Sequence, residues 1–227
     1  MKPKALLQRA RTPIELVIYA IYLYLSGLSL RQTARALASI GFARSHEAVR
    51  KWVHKLANIA AEAISLETAI VDETAVNIGG RQVWLWVAIE PERRAILALY
   101  LSETRNFLVA YSFLAELRRH GVKRVITDGA RWYPPAARWA GLRHEVVHGG
   151  VRSYVERFIC AVKDRLRGFD VYFPSPSRLL DSALRLLYAW ASFYNYARVH
   201  LSFGEPPRSM SGFTELERLT ALAQKRW

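Results

Sequence analysis

Three carboxylates stand where charge is hard to accommodate. Asp72 lies inside Ala69-Ile70-Val71-Asp72-Glu73-Thr74-Ala75-Val76, an otherwise apolar and β-branched run. Asp128 follows the apolar Val125-Ile126-Thr127 and precedes Gly129. A strong charge within an apolar strand costs free energy unless it binds something, and sites in open α/β sheets collect at strand ends. Taken singly, each aspartate reads more readily as a cap or turn residue. Glu156 shifts that balance. It lies on a helical segment whose apolar stripe is Val155, Phe158, Ile159, Val162 and Leu166. At about 100° per residue it falls on the border of the stripe, between core and solvent. Cys160, Lys163 and Arg167 follow on the same side. A carboxylate on the border of a helix, with two cations in line, suits a metal ion beside a phosphate backbone. A solvated Glu–Lys face fits the same pattern equally well. Cys160 reads as a small packing residue, since nothing nearby marks it as an activated nucleophile.

The elements that must position these groups begin at about residue 65. Thr68 to Val76, Val83 to Glu90 and Ala95 to Ser102 read as three strands, separated by Asn77-Ile78-Gly79-Gly80 and Pro91-Glu92-Arg93-Arg94. A helix over about 106–120 stops at Gly121, and Val122 to Thr127 is a short buried strand. A weaker helical stretch with Pro134-Pro135 covers 131–140, and Arg143 to Val147 supplies a fifth strand. Amphipathic helices follow, from about Ser153 to Arg167 and from Ser177 to Arg198. This order predicts an α/β domain, residues 65–227, with a mixed five-stranded sheet and helices packed on its faces. In the last helix Leu180, Leu184, Leu187 and Trp190 form one stripe, with Leu186, Phe193 and Tyr194 beyond it. That apolar surface either covers the sheet or joins two copies of the chain.

Residues 1–64 are helical by every local signal. Thr12-Pro13-Ile14-Glu15 and Ser29-Leu30-Arg31-Gln32 both have the form of capping boxes, the first with proline at the opening helical position. Gly41 closes a second helix, and Ser45 opens a third that reaches about Ala61. Three short helices with a glycine turn between the second and third describe a helix-turn-helix. Val49, Trp52, Val53 and Leu56 form the apolar stripe of the third, and His46, Glu47, Arg50, Lys51, His54 and Lys55 lie off it. A basic, hydrogen-bonding face meets phosphates and base edges. Arg44, Ser45, His46, Arg50, Lys51 and Lys55 are the candidate DNA contacts of this domain; a solvated basic face on a plain three-helix bundle is the alternative.

Composition supports a polyanionic partner. The 227 residues carry a net charge of +14, and hydrophobic residues make up 52%, which excludes a disordered chain. Residues 1–66 hold 10 of the 33 Lys and Arg but only 3 of the 19 Asp and Glu, so half the net charge sits on that short segment. The single cysteine excludes an intrachain disulfide and fits a reducing cytoplasm. Lys2, Lys4, Arg9 and Arg11 ahead of the apolar Leu16–Leu25 imitate a signal peptide. Glu15 and the lack of a small-residue cleavage site argue against one, and the run falls short of the ~20 apolar residues that span a bilayer. No membrane partner is expected.

The chain resembles DDE-class insertion-sequence transposases, and is most similar to the small prokaryotic insertion-sequence-six type and its archaeal relatives. The residues that carry the resemblance are Val71-Asp72-Glu73-Thr74, Thr127-Asp128-Gly129-Ala130 and Tyr154-Val155-Glu156-Arg157-Phe158, with Gly79-Gly80-Arg81-Gln82-Val83-Trp84 and Phe193 to His200 in support. It implies a ribonuclease-H-like core behind a helix-turn-helix, with Asp72 on the first strand, Asp128 after the fourth and Glu156 on a later helix. The gap of 28 residues from Asp128 to Glu156 is shorter than the family's usual one, with the difference in the connection between Arg143 and Ser153. The implied activity is strand cleavage and strand transfer at the two ends of an insertion sequence. Asp72, Asp128 and Glu156 would hold two divalent cations about 3.5–4 Å apart, magnesium or else manganese. Lys163 and Arg167 would steady the DNA backbone, ahead of Arg152 and Arg157 as candidates. Double-stranded DNA, at the element ends and the target, is the implied partner. A homodimer or larger assembly on DNA and a cytoplasmic, nucleoid-associated, prokaryotic setting go with it. Two alternatives stand beside this reading: a non-catalytic DNA-binding regulator descended from a transposase, and a nuclease of the same fold without strand transfer.

Overall fold

The computed structural model describes residues 12–57, 67–150, 152–166, 179–208 and 214–224. They fall into two compact units. One holds the N-terminal helices together with the chain from Arg185 onward, and the other holds the sheet.

The sheet unit starts with three antiparallel strands, β1 (Thr68–Ile78), β2 (Arg81–Ile89) and β3 (Ile96–Ser102). Gly79 and Gly80 close the β1–β2 hairpin at φ 59° and 78°. Two left-handed residues make the tight turn whose twist matches its strands, and glycine reaches that conformation without a Cβ penalty. At the next turn the buried carboxylate of Glu90 accepts the N–H groups of Glu92 and Arg93, both at 2.6 Å. α4 (Phe107–Arg119) then opens on Asn106, whose side chain accepts from the Val109 N–H at 3.1 Å. β4 (Arg124–Thr127), α5 (Tyr133–Trp139), β5 (Arg143–Val146) and α6 (Arg152–Leu166) follow. The sheet order is β3-β2-β1-β4-β5, with β4 parallel to both β1 and β5. This is the mixed five-stranded, ribonuclease-H-like sheet that the element order and the resemblance imply.

Each layer is built from alternation. Ala69 and Val71 of β1 and Trp86 and Ala88 of β2 share one core with Phe113 and Leu114 of α4 and Tyr133 and Ala137 of α5. Side chains alternate faces along a strand, so Ile70 and Asp72 face the opposite way. α6 packs against β1 and β2 and buries Val155, Phe158, Ile159 and Val162, the stripe expected of it. Arg94, at the β2–β3 turn, lies 4.0 Å from the ring centre of Tyr154 on α6.

The other unit contains α1 (Ile14–Leu25), α2 (Leu30–Ser39) and α3 (His46–Ala57), then α7 (Leu179–Tyr196) from Arg185 onward and α8 (Glu215–Gln224). Ser29 and Gln32 form the expected reciprocal capping box at α2. The expected box at Thr12 does not form: α1 begins after Pro13 with no side-chain cap. The buried Thr12 hydroxyl instead accepts from Arg44 Nε at 2.8 Å, a charge-assisted bond that outcompetes a local cap. Between α2 and α3 the Phe42 and Gly41 N–H groups bond the Leu37 and Ala38 carbonyls, with Gly41 at φ 88°. This is a glycine-dependent Schellman stop.

Two expectations about the C-terminal segment are corrected. From Arg185, α7 groups with the N-terminal helices, and Phe193 meets Tyr22 of α1 edge-on, ring centres 6.1 Å apart. Leu187 and Trp190 of the stripe, with Phe193 and Tyr194 beyond it, are buried within one chain, which removes these residues as a surface between copies. α8 was not expected, although Thr214-Glu215-Leu216-Glu217 is a capping-box pattern and does cap it, with Thr214 N–H to Glu217 Oε2 at 2.7 Å.

Trp86 tests the core. It is fully buried, and its indole N–H donates to Ser102 Oγ at 2.8 Å. Trp86→Ala is expected to lower the unfolding free energy of the sheet unit by about 3–5 kcal/mol, read by chemical denaturation.

Candidate functional site

The site grows from the register between β1 and β4. Thr68, Ala69 and Ile70 stand opposite Arg124, Val125 and Ile126. Carrying that register two residues further aligns Asp72 with Asp128. Adjacent strands lie about 4.8 Å apart, so the two carboxylates belong to neighbouring chain segments at one edge of the sheet. Asp72 is 8% exposed and Asp128 half-buried. Backbone donors hold both: the Glu73 N–H reaches Asp72 Oδ1 at 2.9 Å, and the Ala130 N–H reaches Asp128 Oδ1 at 2.9 Å.

The turn that carries Asp128 is built tightly. Thr127 is fully buried, and its Oγ1 accepts from the Gly129 N–H at 3.0 Å and lies 2.8 Å from His144 Nε2 on β5. Burial lowers the His144 pKa, which favours its neutral form. Gly129 sits at φ 79°, and a Cβ there would come within 2.7 Å of Val146 Cγ1. Glycine is thus required by both conformation and space.

A third carboxylate joins this edge, and it is Glu73. By alternation it faces the α4–α5 layer while Asp72 faces α6. Its side chain is 3% exposed. The Tyr133 hydroxyl donates to Glu73 Oε2, and Arg105 pairs with Oε1 at 3.5 Å. The Arg105 guanidinium lies between two indoles, 3.9 Å from the ring centre of Trp84 and 4.6 Å from that of Trp132. Burial raises the Glu73 pKa; Asp72 and Asp128 raise it further, against the Tyr133 hydroxyl and Arg105. Burial, with the charges and hydrogen bond around it, pushes the Tyr133 hydroxyl well above its ordinary value. Sequence reasoning singled out neither Glu73 nor its partners. Its position beside Asp72 on the other strand face was a usable signal; partners 32 and 60 residues away were not.

Glu156 is exposed on α6, beside the buried stripe that packs on β1 and β2. Among the described residues, no group of three or more His, Cys, Asp or Glu side chains is arranged to hold a metal ion. The extended β1–β4 register sets Asp72 and Asp128 on neighbouring segments, and Glu156 forms no metal-sized cluster with them. Two hard oxygen donors still fit a magnesium-like ion, which takes one or two protein carboxylates and completes its shell with water and phosphate oxygens. Lys163 and Arg157 are exposed, and Arg167 lies outside the described residues. Cys160 is exposed, contrary to its expected packing role, because it lies off the buried stripe. A depression of about 530 Å³ lined by Arg118, Lys123, Arg124 and Arg143 lies at the other ends of β1, β4 and β5, away from the aspartates.

On α3 the stripe Val49, Val53 and Leu56 is buried, and His46, Lys51 and Lys55 are exposed. Arg44, Ser45 and Arg50 make the following local bonds. Arg44 is tied to Thr12 and to its neighbour's carbonyl, Ala43 O, at 2.7 Å. Ser45 Oγ caps α3 through the Ala48 N–H at 3.2 Å. Arg50 pairs with Glu47 at 2.9 Å, which lowers the Glu47 pKa.

The family model DDE_Tnp_IS240, described as a DDE domain, matches residues 67–157, the span that runs from β1 to the start of α6. An uncharacterized protein of Methanocaldococcus jannaschii, MJ0017, is 33% identical over 199 residues, covering 86% of this chain and 92% of that protein. Among solved structures, the dimeric form of the HTLV-2 integrase catalytic core domain in complex with magnesium covers 69% of this chain and 97% of its own, at 17% identity and a TM-score of 0.46. A simian T-cell lymphotropic virus intasome chain covers 84% and 72%, at 14% identity and a TM-score of 0.48. A ribonuclease-H-like sheet with one aspartate within its central strand β1 and another just past the end of the adjacent parallel β4 defines the class. Within it, this chain belongs to the DDE-class insertion-sequence transposases.

Gly129→Ala checks the geometry of the Asp128 turn. The left-handed conformation alone costs a non-glycine residue about 1–2 kcal/mol, and the Val146 contact adds to it. Urea unfolding is expected to show at least that loss, with partial recovery in Gly129→Ala/Val146→Ala.

Proposed function

We propose that this chain is a DNA transposase that cleaves and joins strands at the ends of an insertion sequence, with Asp72, Asp128 and Glu156 as metal-binding catalytic residues. The observation that carries the reading is the parallel β1–β4 register, which, extended two residues past its last pair, Ile70 with Ile126, sets Asp72 opposite Asp128. Family membership and the basic, helical N-terminal unit support it.

In this reading Asp72 and Asp128 offer hard oxygen ligands at the sheet edge. Glu156, exposed on the helix packed over β1 and β2 and outside a metal-sized cluster with the two aspartates, would join as the third ligand when the metal binds. Two divalent cations, magnesium or manganese, supply nucleophile activation and stabilise the departing oxygen when bound. The backbone N–H bonds to Asp72 and Asp128 orient their carboxylates in advance of substrate. Lys163, two turns along α6 from Glu156 on the same face, attracts the DNA backbone as a point charge, and the family resemblance gives Arg167 the same part. On α3, Lys51, Lys55 and His46 offer exposed donors to phosphates and base edges. Arg50 must exchange Glu47 for DNA, and Arg44 and Ser45 serve by fixing the turn that aims α3. Two element ends require two sites, so the working form is a dimer or larger on DNA.

Asp72→Asn is the direct test. It removes charge and keeps shape, so end-DNA binding should persist while magnesium-dependent cleavage falls at least a hundredfold. Cleavage near the parent rate in Asp72→Asn would refute the metal assignment. A parent protein that binds end DNA and never cleaves it would favour the regulator alternative. Lys51→Ala should weaken end binding and reduce the slope of log K against log salt by about one. Arg50→Ala should do so less, because part of its charge is already spent on Glu47.

A further inference from the structure

The ladder between β1 and β4 ends at Ile70 and Ile126, two residues short of both aspartates. What lies beyond the ladder is a side-chain network. Glu73, the residue after Asp72, accepts from Tyr133, which follows Asp128 by five residues at the start of α5. Arg105 pairs with Glu73 and lies between Trp84 of β2 and Trp132 of the Asp128 loop. The network therefore joins the three segments that surround the aspartates: β1, β2 and the β4–α5 connection.

We propose that Glu73, Tyr133 and Arg105 are positioning residues that replace the missing ladder and hold Asp72 and Asp128 in ligand geometry for a shared divalent cation. The proposal rests on the metal-binding reading of the two aspartates. Stability alone gives a poor account of this network. Burying a carboxylate beside two others is unfavourable, and apolar residues of like volume serve a core as well or better. Tyr133 reaches the site from the fully buried core, so its hydroxyl transmits a rigid reference. The two indoles restrict the guanidinium of Arg105, so its approach to Glu73 is restrained from the solvent side. Alternation along β1 is what allows this division, with Asp72 facing the ligand and Glu73 facing its supports.

Full-length protein and Mn²⁺ alone test the proposal, with binding followed through the electron paramagnetic resonance signal of the free ion. Tyr133→Phe removes one hydroxyl and keeps the ring. It is expected to weaken Mn²⁺ binding about tenfold or more, the usual effect of losing an outer-shell partner. End-DNA affinity should stay within twofold of the parent, so the turnover number of cleavage falls while KM for DNA does not rise. Glu73→Gln keeps an acceptor for Tyr133 and should bind Mn²⁺ more tightly than Glu73→Ala. Asp72→Asn is the reference that separates the two readings. If Asp72→Asn loses Mn²⁺ and Tyr133→Phe binds it within twofold of the parent, the network proposal is overturned and the site assignment stands. If Asp72→Asn binds Mn²⁺ like the parent, the site assignment fails and the proposal with it. Should Tyr133→Phe not fold, Arg105→Gln reads the same network from its half-exposed end, and parent-like Mn²⁺ affinity there overturns the proposal.

Discussion

Parallel pairing of β1 with β4 joins residues 56 apart in the chain, Thr68 with Arg124 and Ile70 with Ile126. Parallel strands require a crossover, and here it is the long path through β2, β3 and α4. That path is stabilised by the core under α4 and α5, where Trp86, Phe113, Leu114 and Tyr133 meet. Once the pairing exists, the pleat assigns every neighbour. Asp72 faces the α6 layer and Glu73 the α5 layer, and the register aligns Asp72 with Asp128. A shift of one residue would exchange these faces and turn Asp72 toward the α5 layer.

The edge so formed concentrates negative charge in a chain whose net charge is +14. Burial and the two aspartates all oppose ionisation of Glu73, and the Tyr133 hydroxyl and Arg105 offset part of that cost. Such a concentration is unfavourable in isolation and becomes favourable beside a hard cation. The surrounding excess of Lys and Arg favours approach of a polyanion over long range. In the proposed function the two charge patterns are complementary: the local acidity would suit a metal ion, and the overall positive charge a nucleic acid.

The helical unit obeys a different logic. Its candidate contacts divide between groups that build α3 and groups that α3 presents. Thr12 and Arg44 join the start of α1 to the turn before α3, and Ser45 caps the helix. His46, Lys51 and Lys55 are exposed on the face away from Val49, Val53 and Leu56. Phe193 packs against Tyr22, and the chain from Arg185 onward belongs to the same compact unit as the N-terminal helices.

Local chemistry made much of this legible in advance. The β1–β2 hairpin follows from paired glycines, the α2 boundary from Ser29 and Gln32, and α6 from a stripe at helical spacing. Asp72 and Asp128 stood out because charge is costly within apolar strands. Thr12, Cys160 and the α7 stripe were misjudged, each because a distant partner or an unread face decided its role. Thr12 met Arg44, Cys160 fell on the open side of α6, and Leu187 and Trp190 were buried by packing in a unit that includes helices more than 100 residues earlier. The sequence by itself determined the elements, their order and the three candidate carboxylates, since helix and strand periodicity and desolvation cost are properties of short segments. Only the tertiary structure decided that Glu73 belongs with Asp72 and Asp128, and that Tyr133 and Arg105 support it. Contacts across 32 and 60 residues depend on strand register and layer packing, which no local pattern encodes.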